Sequence, residues 1–302
     1  MKIVTWGLLI AILGTLIWYF FIKEYDYQIN FEVKTTTGTV NQSIKSWNSS
    51  HENPQPIQQI SEKELIQKIT IKDSSFTYLW NISPKNDSIL KVTAYISDAK
   101  NRFKNRITIP FYETDFEKTS KRVTEELFNK LNNHLKEIKV KIEGKENSPS
   151  NYAAYVSLKT HQIEKAKGMM ENFNLLSSFV ADNYLEPSGQ PFLEITSWNK
   201  TTDSLSFNFC FPFKKPDSVY IDSLTINSKI SIKQFPSKKA LKAIYNGNYI
   251  TSDRAWYALE DYAKKNNIPV EMFPIEVFYN NPNMGGDEHN WKTEVYLPLK
   301  KE

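Results

Sequence analysis

The chain has 302 residues, a length that exceeds one average domain and allows two compact domains with an additional segment. Its net charge of +4 comes from lysines scattered among acidic residues, and no dense basic stripe or DNA-reading helix is recognisable, so nucleic acid is not an expected partner. One cysteine, Cys210, excludes an internal disulfide. Asp287, Glu288 and His289 could suggest a metal site, but three consecutive residues in a loop rarely converge on one ion, and no second cluster of His or Cys supports them. We expect neither a metal nor a cofactor.

The first segment is apolar. Ile3 to Ile22 comprises 20 residues without a charge, which is about the length that a helix needs to cross the hydrocarbon core of a membrane. Trp6 lies near one end and Trp18 and Tyr19 near the other, where aromatic rings favour the headgroup level. A cleaved signal peptide is the alternative, but its apolar run is usually shorter and ends in small residues. We predict a transmembrane anchor over residues 1–23.

The charges that flank this anchor favour one orientation. Lys2 and the terminal amine are positive, whereas Lys23 is offset by Glu24 and Asp26. We therefore predict a single-pass membrane protein whose N-terminus is inside and whose soluble domains lie on the extracytoplasmic side.

Residues 24–142 predict an antiparallel sheet followed by a long helix. After a strand (27–34) and a short helix (39–47), further strands are predicted over Leu65–Ile71, Phe76–Ile82, Ile89–Ile96 and Arg106–Pro110. From Glu113 to Val140 apolar residues recur at helical spacing. This order resembles the helix-grip fold of the SRPBCC, or START-like, superfamily, in which the sheet wraps the last helix around a cavity. A spacer domain with a filled core is the alternative.

A polar segment and a duplication follow. Residues 143–152 contain Pro149 and predict a linker before a C-terminal domain over residues 153–302. In that domain the order strand, helix, strand, strand occurs twice, over about 153–213 and about 238–299. The fold class is therefore α+β.

The two repeats also match at the level of residues. Glu194 lies 82 residues before Glu276, and Pro212 lies 86 residues before Pro298, in each case within a similar apolar run. The two separations, 82 and 86 residues, differ by four, and an insertion in the loop 280–290 of the second repeat would account for this difference.

Alternation in the last strand of each repeat predicts which side chains share a face, because successive residues of a strand point to opposite sides. The phenylalanines of the segment Phe207–Phe213 face one side, which we expect to carry the helices. The other face then holds Asn208 and Cys210 from the first repeat, and Glu294 and Tyr296 from the second. They come together if the repeats pair about a pseudo-two-fold axis; a solvated surface is the alternative.

Four segments of the second repeat carry a more specific resemblance. They are Ala243–Tyr249 (AIYNGNY), Ala255–Leu259 (AWYAL), Glu276–Pro282 (EVFYNNP) and Thr293–Pro298 (TEVYLP). With them, residues 150–302 resemble the GyrI-like effector-binding domain, a tandem duplication that occurs alone or fused to the DNA-binding domains of multidrug-responsive regulators. The resemblance implies an aromatic-lined cleft in which a Glu pairs with cationic or polar lipophilic ligands, and Glu294 matches that Glu.

We therefore expect a membrane-anchored protein without a DNA-binding domain that binds a small lipophilic or cationic molecule. The predicted ligand-binding residues are Glu294, Tyr296, Asn208, Cys210, Tyr249, Trp256 and Glu276. Some GyrI-like proteins are described as hydrolases, and the matching alternative here is a hydrolase with Glu294 as general base, assisted by Tyr249. A non-catalytic scaffold or interaction protein is the second alternative.

Overall fold

The structure is a computed structural model that describes residues 2–71, 74–217, 220, 224 and 227–301. It is a mixed α+β structure with an apolar N-terminal helix and two antiparallel sheets. Its internal contacts divide the chain into two units, Met1–Asn132 and Asn133–Glu302.

The N-terminal helix, α1, comprises Lys2–Ile17 and continues as a π-helical turn over Trp18–Ile22. The stretch Val4–Ile22 is long and apolar enough to cross a membrane by length and composition, and none of it is buried within the protein.

The sheet of the first unit has five strands in the order β1-β5-β4-β3-β2, and its neighbouring strands are antiparallel. The strands are β1 Tyr27–Val33, β2 Gln58–Ser61, β3 Glu64–Ile71, β4 Ser74–Pro84 and β5 Leu90–Ser97. The helices that accompany them are α2 Thr37–Ser49, α3 Arg102–Thr108 and α4 Asp115–Glu137.

Helix α4 begins at a reciprocal cap. Thr114 Oγ1 accepts from the backbone N–H of Glu117 at 3.2 Å, and the Glu117 carboxylate accepts from the backbone N–H of Thr114 at 2.9 Å. One face of the helix is buried, and its Phe116 ring packs edge-on against Phe76 of β4 at 5.3 Å between centroids. The predicted long amphipathic helix therefore covers the sheet.

Two predictions for this region are wrong. The segment predicted as a strand at Arg106–Pro110 is the end of α3 and a turn, because Phe103 and Ile107 stand four residues apart on one side of a helix. The helix predicted to reach Val140 ends at Glu137, and the following residues alternate as strand β6.

The sheet of the second unit has eight strands in the order β10-β7-β9-β8-β12-β13-β11-β6. The strands are β6 Lys139–Asn147, β7 Asn151–His161, β8 Phe192–Asn199, β9 Ser204–Pro212, β10 Ser231–Phe235, β11 Lys239–Asn246, β12 Ile275–Phe278 and β13 Lys292–Pro298. Two helices, α5 Lys165–Asp182 and α6 Arg254–Lys265, pack on one face, α5 against β7 and β9 and α6 against β11 and β13.

The outer strands are exchanged between the repeats. Strand β6 precedes the first repeat but pairs with β11 of the second, and β10 precedes the second repeat but pairs with β7 of the first. The predicted linker, residues 143–152, is therefore wrong, because only residues 148–150 separate β6 from β7. The segment is polar since β6 is an edge strand with one side open to solvent.

The strand pairing also corrects the alignment of the repeats. Cys210 and Tyr296, which are 86 residues apart, pair with Phe192 and Ile275 respectively. These two partners are 83 residues apart, so the offset of 82 inferred from Glu276 is wrong by one. A shift of one residue along a strand turns a side chain to the opposite face, so this correction decides which side of the sheet each Glu occupies.

The predicted alternation in β9 and β13 is confirmed. Phe207, Phe209 and Phe213 belong to the core beneath the helices, together with Val295 and Leu297. The residues between them contribute to a smaller cluster on the other face of the sheet, which joins side chains of both repeats.

Candidate functional site

The face opposite α5 and α6 carries predicted site residues from both repeats. Its apolar centre comprises Ala153, Phe192, Cys210, Phe235, Ala240, Ile275, Val277 and Tyr296. We call this surface, with the polar side chains that border it, the cleft face. Strands β8 and β12 pair at its centre, so each repeat supplies one half. Asn208, Cys210, Glu294 and Tyr296 therefore share one face.

Glu294 is the centre of a polar cluster in the second repeat. It lies on β13, is buried, and its carboxylate accepts from the Tyr296 hydroxyl at 2.7 Å and from Lys292 Nζ at 2.8 Å. Lys242 Nζ of the neighbouring strand β11 is 3.4 Å from the same carboxylate and 2.8 Å from the carboxylate of Glu146. The carboxylate thus already has two ammonium groups beside it.

These contacts determine the protonation state of Glu294. Burial alone would raise its pKa, but hydrogen bonds from Lys292, Tyr296 and Tyr279 and the charge of Lys242 outweigh burial and hold the pKa at about 2. Burial and the adjacent carboxylate raise the pKa of Tyr279 to about 12. Glu294 is therefore an anion at neutral pH, and Tyr279 is a neutral donor beside it.

The lysines also lie over aromatic rings. Lys242 Nζ is 5.4 Å from the ring centroid of Tyr296, and Lys292 Nζ is 4.3 Å from that of Tyr279. The cluster therefore combines a carboxylate with aromatic surfaces that attract cations, and lysine ammonium groups occupy this environment in the structure.

A second carboxylate, Glu194, lies in the first repeat. Its oxygens accept from Asn208 Nδ2 at 3.1 Å and from the Nζ atoms of Lys233 and Lys238 at 3.3 Å each. Lys233 Nζ in turn lies 5.0 Å from the ring centroid of Tyr155. The cleft face consequently has a carboxylate with two lysines in each half, although the two carboxylates come from non-equivalent strands, β8 and β13.

The two predicted residues of the first repeat have supporting positions. Asn208 bridges two side chains, because its Oδ1 accepts from Ser157 at 2.8 Å while its amide donates to Glu194. Cys210 is fully buried in the apolar centre, and burial raises the pKa of its thiol well above the usual range. Cys210 is thus a small apolar side chain beneath the cleft face.

Glu276 does not line the cleft face, which corrects its predicted role. It pairs with Val295 and Leu193 and shares their side of the sheet, beneath the helices. There its carboxylate accepts from Lys165 Nζ at 2.8 and 2.9 Å and from Ser252 Oγ at 3.0 and 3.1 Å. This buried ion pair connects the start of α5 with β12 and so joins the two repeats internally.

Trp256 and Tyr249 were also predicted to bind ligand, but they lie on the helix side of the sheet and not on the cleft face. Trp256 on α6 is fully buried and packs edge-on against Trp198 at 5.1 Å between centroids. Tyr249 packs against Phe278 and Trp291, its hydroxyl donates to the Lys292 carbonyl at 3.1 Å, and burial raises its pKa to about 12. Both are core residues, because the helix side of the sheet is where the large apolar residues of each repeat converge.

The predicted ligand-binding residues leave out several side chains of the site, among them Lys292, Lys242, Lys233, Glu194 and Tyr279. Lys292 is two residues from Glu294, and alternation alone placed it on this face. The other residues could be assigned to the site only once the pairing register of the strands was known. Their partners lie far along the chain, 14 to 52 residues away for Lys242, Lys233 and Glu194. Periodicity identifies a face but does not identify the neighbour across it.

Residues 145–300 match the family described as the GyrI-like small molecule binding domain. The predicted resemblance of the C-terminal half is thereby confirmed. The chain has no significant match among curated proteins.

Several solved structures are similar to part of the chain. The C-terminal domain of EcmrR has 13% identity and a TM-score of 0.43, and the match covers 55% of this chain and 99% of that one. SAV2435 bound to tetraphenylphosphonium has 12% identity and a TM-score of 0.35, with 53% and 94% covered. A hydrolase from Listeria innocua has 7% identity and a TM-score of 0.35, with 52% and 92% covered.

Proposed function

The chain belongs to the family of GyrI-like small-molecule-binding domains, and we propose that it binds a small lipophilic cation on the cleft face, with Glu294 as the group that recognises the charge. The observation that carries this proposal is the Glu294 cluster: a buried anion with a pKa of about 2, bordered by the rings of Tyr279 and Tyr296 and by the apolar centre of the face. An anion between aromatic surfaces favours a cation with apolar substituents.

Of the two lysines beside Glu294, Lys292 is the one that the ligand displaces. The Lys292 side chain is 37% exposed, so its ammonium group can return to water when a ligand cation enters. Ion pairs with that exposure contribute roughly 0–1 kcal/mol, which a ligand that also buries apolar surface exceeds. Lys242 is only 12% exposed and is also paired with Glu146, so we expect it to remain.

We further propose that residues 3–22 anchor the chain in a membrane, with the N-terminus inside and the soluble domains after the anchor on the extracytoplasmic side. The exposed apolar stretch Val4–Ile22 supports the anchor. The element order of the first unit supports a START-like domain next to the membrane, in which α4 covers the five-stranded sheet. A ligand that accumulates in the bilayer would then reach the cleft face from nearby.

The test uses the full chain in lipid nanodiscs, with empty nanodiscs as the blank, and calorimetric titration with tetraphenylphosphonium, a permanent lipophilic cation. We expect Glu294→Gln to weaken binding about tenfold, since it removes roughly 1–3 kcal/mol of charge and cation–π attraction. Lys292→Met should strengthen binding several-fold, because the competing ammonium group is gone.

Lys167→Met is the matched control, because Lys167 is an exposed lysine on α5, away from the cleft face. Tetraphenylborate has the same shape and the opposite charge. If tetraphenylborate binds more tightly than the cation, and Lys292→Met weakens it, the lysines recognise an anion and the proposal is wrong. If neither ion binds, a scaffold role is favoured.

The hydrolase alternative receives less support. A general base at neutral pH needs a pKa near 7, and the pKa of Glu294 is about 2. Tyr249, its expected assistant, lies on the other side of the sheet. We therefore expect any bound compound to be recovered unchanged by mass spectrometry.

A further inference from the structure

The end of the apolar helix is fixed to α3 by a buried arginine. Nη1 of Arg106 donates to the carbonyls of Tyr19 at 2.8 Å and Phe20 at 2.7 Å, and Nη2 donates to the carbonyl of Lys23. Nε of Arg106 donates to Asp26 Oδ1 at 2.8 Å, and both side chains are buried. The guanidinium thus satisfies carbonyls at a helix C-terminus that would otherwise lack partners, and it holds α3 against the helix end.

Aromatic contacts continue this junction onto the surface of α3. The Phe103 ring stacks on Phe20 at 5.5 Å between centroids and meets Phe21 edge-on at 6.0 Å. Ile107 lies one helical turn after Phe103 on the same side of α3. The apolar surface of the N-terminal helix therefore extends without interruption onto α3.

The extended surface is large, apolar and exposed. Its members are Phe103 (55% exposed), Ile107 (50%), Phe111 (76%) and Tyr112 (66%). These four large side chains lie within ten residues and all are at least half exposed. This density of exposed apolar side chains is higher than on an ordinary soluble surface, where such residues are scattered singly. The residues Lys100 and Lys104 are exposed beside them.

We propose that α3 and the turn after it, through Phe103, Ile107, Phe111 and Tyr112, lie in the headgroup layer of the bilayer that the N-terminal helix spans; this surface we call the membrane collar. The proposal rests on the proposed membrane anchor. Aromatic rings with adjacent lysines are the composition that favours the interface of a membrane with anionic lipids. Because Arg106 fixes α3 to the helix end, the collar sets the orientation of the first unit relative to the bilayer.

The experiment uses the full chain in vesicles of phosphatidylcholine and phosphatidylglycerol at a ratio of about three to one, a composition with anionic headgroups. Phe111→Cys and Ile107→Cys are labelled with bimane. Ser88→Cys is the matched control, because it is exposed in the turn before β5, at the opposite end of that strand from the junction. The wild-type chain gives the background, since its one cysteine, Cys210, is buried.

We expect lipids that carry a nitroxide at the headgroup to quench the labels at positions 107 and 111 several-fold more than the label at position 88. Aqueous iodide should show the reverse order. Equal quenching by iodide at positions 111 and 88 overturns the membrane collar. The membrane collar is also overturned if the labels are shielded from iodide but are not quenched by the lipids. If that shielding depends on the ratio of protein to lipid, a second copy of the chain covers the surface.

Flotation of the same vesicles separates this failure from failure of the anchor. A chain that stays with the vesicles after extraction at high pH, but whose label at position 111 is exposed, retains its anchor and lacks the collar. A chain that is released refutes the anchor itself.

Discussion

At the scale of residues, the cleft face depends on how lysines and carboxylates are paired. Glu294 keeps its charge because Lys292 and Tyr296 donate to it, and Glu194 is held by Lys233 and Lys238. Each carboxylate is therefore available to a ligand only in competition with the protein's own ammonium groups. This competition distinguishes the site from an open anionic cleft, and alternation along β13 could not show it, because only Lys292 lies on the same strand.

The low pKa of Glu294 predicts a stability that depends on pH. A carboxyl whose pKa falls from 4.5 to about 2 on folding stabilises the folded state, and this stabilisation is fully present above pH 4.5. It is lost as the pH falls towards 2. We expect the free energy of unfolding of the wild-type chain to exceed that of Glu294→Gln by about 1–2 kcal/mol at pH 6, once screening by water is allowed for. This difference should become smaller by pH 3. Urea unfolding followed by tryptophan fluorescence measures it.

Glu186→Gln controls for the loss of an exposed carboxylate, since Glu186 pairs with Lys214 at the surface. A difference between wild type and Glu294→Gln that is the same at pH 6 and pH 3 would contradict the protonation state assigned to Glu294.

At the scale of elements, the helix side of the sheet contains a buried ion pair that connects the repeats. Lys165, at the start of α5, and Glu276, on β12, are separated by 111 residues and form an ion pair that is almost completely buried. Gln162 adds a second link, since its amide donates to Asp253 at 2.6 Å. Elements of the two repeats are thus joined by polar contacts as well as by the central strands.

Breaking this ion pair should destabilise the chain strongly. We expect Lys165→Met to cost about 3–5 kcal/mol at pH 8, because it leaves the Glu276 carboxylate buried without a counter-charge. Burial already raises the pKa of Glu276, and loss of the lysine raises it further, so the carboxyl takes up a proton more readily and the cost should be smaller at pH 5. Urea unfolding at both pH values tests this.

The double variant Lys165→Met with Glu276→Met is the complementary measurement. It removes both charges, and we expect it to recover most of the lost stability. A double variant as unstable as Lys165→Met would show that packing around the lysine stem, and not the unpaired charge, accounts for the loss.

At the scale of the whole molecule, the exchange of outer strands makes the second unit larger than its sequence repeats. Strand β6 pairs with β11 from Lys239 opposite Asn147 to Asn246 opposite Lys139, so it closes one edge of the sheet. Its Val140 and Ile142 pack against the core beneath the helices. A domain cut at the predicted linker would lose this strand.

The consequence is a prediction about fragments. We expect residues 133–302 to give a soluble fragment, whereas residues 148–302 should melt about 5–15 °C lower or aggregate. Loss of β6 exposes an unpaired strand edge and forfeits about 2–4 kcal/mol of apolar burial. Differential scanning calorimetry compares the two fragments, and equal melting temperatures would mean that β6 is dispensable.

The sequence by itself determined the features that depend on local periodicity. The apolar run before Lys23, the duplicated order of strands and helices, and the two faces of β9 and β13 all follow from residues a few positions apart, and the structure shows each of them. The resemblance of the C-terminal half to GyrI-like domains likewise rested on short segments, and the family match confirms it.

Only the tertiary structure decided which of these residues meet. A register that differs by one residue placed Glu276 beneath the helices and Glu194 on the cleft face, and the exchanged strand β6 brought Glu146 to Lys242. The physical reason is that side-chain direction alternates with every residue, while pairing between strands is fixed by the packing of the whole sheet. A sequence pattern therefore identifies the two faces, but the fold decides which charges become neighbours.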